Sequence, residues 1–143
     1  MVDVAKYPEQ GTLSFSRCGE LTLDELINRF MQVCLGCCTE QGLNVTVRRD
    51  EFKTSNAARK MGGVISLVGK MVQKSCPGFT IESKSENYRI HLVGGQYMDE
   101  ISFDLFFFTG FALERNARKR DYAEHRFQEA IDCVKKAYES MTN

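Results

Sequence analysis

Apolar residues recur along this chain with two distinct periods, and the period separates helices from strands. Leu23, Leu26, Ile27, Phe30, Cys34, Cys37 and Cys38 fall three or four residues apart, the stripe of a helix over roughly Leu21–Gln41. Thr22 and Glu25 stand three apart at its start, as a capping box requires, each side chain able to satisfy the other's free backbone N–H. Gly42 is placed to end that helix in the left-handed conformation. A second stripe, Phe127, Ala130, Ile131, Val134, Tyr138 and Met141, predicts a helix over roughly Asp121–Met141. Asp121 reads as its N-cap, with Glu124 in the first turn. Lys135 and Lys136 near its end suit the negative pole of the helix dipole.

Elsewhere the period is two. "GTLSFSRC" sets Leu13 and Phe15 on one face, and "LNVTVRR" does the same with Leu43, Val45 and Val47. Phe79 and Ile81 alternate before "SEN", and Tyr88, Ile90 and Leu92 after it, which predicts a hairpin. In "ISFDLFFFTGF", Ile101, Phe103, Leu105 and Phe107 share one face while Phe106 and Phe108 share the other; a strand apolar on both faces is central or covered. The stretch 56–75 stays open. Val64, Val68, Met71 and Val72 fit a helix face, yet Gly62, Gly63 and Gly69 would each cost a helix about 1 kcal/mol. A loop followed by a strand from Val64, with "CPG" as a turn, is the other reading. The element order predicts an α+β fold: a single antiparallel sheet with two long amphipathic helices packed on one face. No repeat or linker divides residues 1–143, so one domain is expected, its first ten polar residues frayed.

Charge narrows the choice of partner. Nineteen basic residues balance nineteen acidic ones, so no general attraction to nucleic acid is expected and any anion site must be a local patch. No run reaches the roughly 18 apolar residues of a membrane span. The N-terminus lacks the basic start and apolar core of a signal peptide, so a cytoplasmic location is expected. Six cysteines in a chain of this size then read as reduced thiols rather than a disulfide framework.

Candidate chemistry is sparse. "CLGCC" (Cys34, Cys37, Cys38) has no second ligand pair at zinc spacing, and its thiols lie on or beside the first helix's apolar stripe, so core packing is the better account and no metal is expected. "VGGQ" and "MGGV" lack the further glycines and lysine of a phosphate loop, and no cofactor is expected. His91 alternates out of phase with Ile90 and Leu92 and should face solvent; His125 should lie in the first turn of the last helix. Either histidine would serve an enzyme as general base, but no nucleophile elbow or carboxylate pair accompanies them. The most unusual run is "ALERNARKRDYAEHRF", which places Arg115, Arg118, Lys119 and Arg120 in a loop before a helix N-terminus, where positive charge is disfavoured. These four are the candidate anion site, set against the even alternative of a solvated loop neutralised by Glu114, Asp121 and Glu124. Phe106, Phe108 and Phe111 are the candidate anchor for a protein partner or for a homodimer, provided their face is exposed.

The stretch "LSFSRCGELTLDELINRFMQVCLGCCTEQGLNVTVRR", followed by "ISFDLFFFTG" and "RNARKRDYAEHRFQEAIDCVKKAY", resembles the C-terminal kinase-associated regulatory domain of Ser/Thr kinase families, over Thr12–Met141. The resemblance implies a sheet with two helices on one face. It also implies docking on kinase domains or other proteins, or contact with acidic phospholipids through basic surface residues. The resulting expectation is a non-enzymatic regulatory or scaffold module. It binds a protein partner and has a weak acidic-lipid or anion contact at the basic loop; a small cytosolic enzyme using His91 or His125 is the alternative.

Overall fold

A single sheet carries the fold. In a computed structural model that describes residues 2–3, 9–16, 21–54 and 74–142, the strands are β1 (Val2–Asp3), β2 (Glu9–Ser16), β3 (Thr46–Thr54), β4 (Lys74–Ser83), β5 (Tyr88–Tyr97) and β6 (Glu100–Thr109). The helices are α1 (Leu23–Glu40) and α2 (Ala117–Thr142), with a 3₁₀ turn at Gly110–Leu113 before α2. The sheet order is β1-β3-β4-β5-β6-β2. Five strands pair antiparallel, and the two-residue β1 adds a parallel edge beside β3. Both helices pack on one face, as the apolar stripes require.

The core lies between the helices and that face. Phe30 of α1 is fully buried and meets the rings of Phe15, Phe79 and Phe103 edge-on at 5.5, 5.3 and 5.2 Å. Phe127 of α2 does the same with Tyr88 and Phe107 at 5.5 and 5.4 Å. Such edge-to-face pairs add to the burial gain. The stripe cysteines pack here as small hydrophobes. Cys34, Cys38 and Cys133 are buried, and Cys133 lies within hydrogen-bond reach of the Cys37 and Cys38 thiols. Burial pushes the Cys38 thiol up to about 11 and raises Cys34 and Cys133 as well. These thiols stay protonated and unreactive at neutral pH.

Helix ends follow local chemistry. The capping box is present: Thr22 Oγ1 accepts from the Glu25 N–H at 3.1 Å, and Glu25 Oε1 accepts from the Thr22 N–H at 3.4 Å. Gly42 adopts φ 66°, so its N–H donates to Thr39 O and the Leu43 N–H to Cys38 O, both at 3.0 Å. That is the paired C-terminal bonding only a left-handed residue permits. Arg126 of α2 then reaches this end, its Nη2 donating to Gln41 O at 3.2 Å and Gly42 O at 2.6 Å.

Four expectations need correction. α2 begins at Ala117, four residues before Asp121, and its cap is Asn116: the Asn116 Oδ1 accepts from the Arg118 and Lys119 N–H groups at 3.0 and 3.2 Å. The first turn holds no buried apolar residue, so the stripe reveals the helix only later. "CPG" is not a turn but part of β4; β5 pairs with β4 only from Gly78 onward, so Pro77 has no N–H to supply there. Glu9 and Gln10, expected to fray, belong to β2, where Glu9 is opposite Phe106. His91, expected in solvent, is 0% exposed. The open stretch 56–75 lies almost wholly outside the described residues.

Candidate functional site

Three neighbouring segments enclose a groove of about 520 Å³ beside the start of α2. The β4–β5 hairpin turn supplies Ser85, Glu86 and Asn87. β6 and the 3₁₀ turn supply Phe108, Phe111, Leu113 and Glu114, and α2 supplies Lys119, Tyr122 and Ala123. Asn87 fixes the first two segments together. It turns the hairpin at φ 57°, and its carbonyl accepts from the Phe111 N–H at 3.2 Å. A Cβ at Gly110 would stand 2.5 Å from the Asn87 side chain, so any larger residue there would displace that amide.

The groove draws residues from both candidate groups, though not as the sequence suggested. Phe106 is buried on the sheet face away from the helices, clustered with Phe52 and Val93. Phe111 is buried on the other side against Phe127, 5.7 Å between centroids. Only Phe108 is half-buried, with the Arg89 guanidinium 4.5 Å over its ring. The three rings therefore do not form one exposed anchor, because Phe111 leaves the strand and turns inward. The exposed apolar groups are others: Leu113 is 87% exposed and Tyr122 58%. The sequence does not single them out: Leu113 continues the apolar run through Phe111 and Ala112, and Tyr122 stands among charged residues.

Of the basic candidates, Lys119 lines the groove, and Arg115, Arg118 and Arg120 stand on the same short segment. Arg118, Lys119 and Arg120 occupy the first turn of α2 rather than a loop. Among the described residues, Arg115, Arg118 and Lys119 make no side-chain ion pair, and Arg120 comes within only 3.9 Å of Asp121. The expected neutralisation by Glu114 and Glu124 is thus not seen there. Glu114 instead accepts from the Asn116 N–H at 3.1 Å, and Glu86 accepts from Ser83 at 2.8 Å and from Ser85.

The histidines lie apart from the groove. His125 is exposed and pairs with Glu129 at 3.0 Å, in the third turn of α2 rather than the first. His91 sits on the helix-free face of the sheet, opposite Thr80 and Phe106 in the ladder and 5.2 Å from the Phe52 ring. The Thr80 hydroxyl donates to Asp50 Oδ2 at 3.0 Å and lies 3.0 Å from His91 Nδ1. With its one proton given to Asp50, the hydroxyl accepts from Nδ1–H, which sets the imidazole tautomer. Burial foremost, then the Arg89 charge, lowers His91 to about 4, so it is neutral at physiological pH. An acid, a hydroxyl and an imidazole are thus brought together, the hydroxyl and the imidazole fully buried and Asp50 partly exposed. Among the described residues no cluster of His, Cys, Asp or Glu is arranged to hold a metal ion, and no helix is long and apolar enough to cross a membrane.

Fold and groove together define an α+β module with an open apolar groove under a basic helix start. No protein-family model matches the chain, and no curated protein and no solved structure matches it.

Proposed function

We propose that this chain is a non-enzymatic regulatory or scaffold module that docks a protein partner in the groove at the start of α2. The observation that carries the reading is the exposure of Leu113 and Tyr122, which line one groove together with Phe111 and Ala123. Exposed apolar side chains beside a concave surface mark interaction sites, and tyrosine is among the residues enriched in the hot spots of protein interfaces. The layout, a sheet with two helices on one face, is the one that the kinase-associated resemblance implies. The reduced thiols of the α1–α2 seam fit action in a reducing compartment such as the cytoplasm. His91 does not favour the enzyme alternative, because a substrate has no path to a group 0% exposed.

The test is affinity capture from native cell extract with the wild-type protein and with a Leu113→Asp, Tyr122→Ala variant. Both positions are too exposed for the changes to unfold the domain. Proteins retained by the wild type and lost with the variant support the reading; identical captures contradict it. Light scattering across a dilution series shows whether the partner is a second copy.

A further inference from the structure

We infer that the segment docking in this groove is acidic, with an apolar anchor residue flanked by carboxylates; the inference rests on the groove being a docking site. Charge complementarity is the ground. The two carboxylates of the lining already accept hydrogen bonds within the fold, Glu86 from the Ser83 and Ser85 hydroxyls and Glu114 from the Asn116 N–H, though they keep their charge. The side chains of the neighbouring cations have no such partner among the described residues. Arg115, Arg118 and Lys119 are exposed and make no ion pair among the described residues.

Their position makes the imbalance informative. Positive charge in a first helical turn opposes the helix dipole, so leaving Arg118 and Lys119 unpaired there, with Arg115 just before it, costs stability that an anionic partner recovers. The N–H groups of that turn are not the binding element, because Asn116 already takes those of Arg118 and Lys119. Recognition falls to the side chains. A partner's apolar anchor contacts Leu113 and Tyr122, while its carboxylates meet the Lys119 ammonium of the lining and the guanidinium groups of Arg115 and Arg118 on the same segment. Arginine forks hold carboxylates bidentately, which fixes orientation as well as adding attraction.

Charge on the rim and apolar surface in the groove predict separable effects. Each exposed cation neutralised weakens binding about two- to fivefold, the range of a solvent-exposed ion pair. Added salt weakens it further. The experiment is selection of random linear peptides displayed on phage against the full chain, in parallel with Leu113→Asp and with the charge-reversed Arg115→Glu, Arg118→Glu, Lys119→Glu variant. Binding to phosphatidylcholine vesicles with and without phosphatidylserine is measured alongside. The inference expects enrichment of peptides with an apolar residue among Asp and Glu, lost with Leu113→Asp and replaced by basic peptides with the charge-reversed variant. Apolar peptides without acidic enrichment, still lost with Leu113→Asp, would overturn the acidic partner and leave the docking groove standing. No enrichment over Leu113→Asp overturns both. Binding to phosphatidylserine vesicles that survives Leu113→Asp, with no peptide enriched, assigns the cations to a lipid surface instead.

Discussion

Replacing Arg126 by Ala tests how the two helices are held together. This side chain is only 15% exposed, and its Nη2 donates to Gln41 O and Gly42 O at the end of α1 while Nη1 pairs with Glu129 at 3.1 Å. Those carbonyls lie at the negative pole of α1, so a guanidinium there satisfies acceptors and opposes the dipole together. A hydrogen bond from a charged donor contributes about 1.5–3 kcal/mol net. Taking the lower figure for each of two gives about 3 kcal/mol, with about 0.3–0.5 more from the Glu129 pair. For a chain of this size that lowers Tm by about 10 °C. In urea, monitored by circular dichroism, the midpoint falls by about 1.5 M at unchanged m. Arg126→Lys keeps the charge but not the fork, and recovers part of the loss. If Arg126→Ala stays within about 0.5 kcal/mol of wild type, the clasp does not hold α2 to α1 and the argument fails.

Two further outcomes follow from the sheet. A Cβ at Gly78 would stand 1.9 Å from the Leu92 carbonyl oxygen of the neighbouring strand, so Gly78→Ala should cost about 3 kcal/mol or prevent folding; a urea midpoint equal to wild type refutes that packing. His91 is lowered to about 4 in the folded protein, whereas an unfolded histidine protonates near pH 6.5. Between those values the unfolded state binds the extra proton. The contribution is therefore complete above about pH 6.5 and is lost as pH falls towards 4, about 3 kcal/mol in all. His91→Gln should remove that slope from stability plotted against pH; an unchanged slope means other groups produce it.

What the sequence disclosed and what it hid follow the range of the forces involved. The capping box of Thr22 and Glu25 and the left-handed Gly42 are local devices, complete within a few residues, and both are present. Period-two alternation likewise assigned the inner face of β6, because Ile101, Phe103 and Leu105 meet the helices. His91 was misplaced because alternation names an inner face and says nothing of whether the other is wet. Phe106 and Val93, apolar on that other face, were the available signal. The start of α2 was missed because its first turn is polar and its cap, Asn116, precedes a basic run rather than an apolar one. The groove had no signature at all: it joins residues 85–87, 108–114 and 119–123, which only the tertiary fold brings together.

Site-specific photo-crosslinking tests the partner-docking account most directly. A benzoylphenylalanine is placed at Tyr122 or Leu113 on the groove, or at Lys136, an exposed position farther along α2, and each protein is irradiated in native extract. The account predicts a common crosslinked protein from positions 122 and 113 and none from 136, with yields that fall as salt rises. Crosslinks of equal yield and identity from all three positions, or none from 122 and 113, would contradict it.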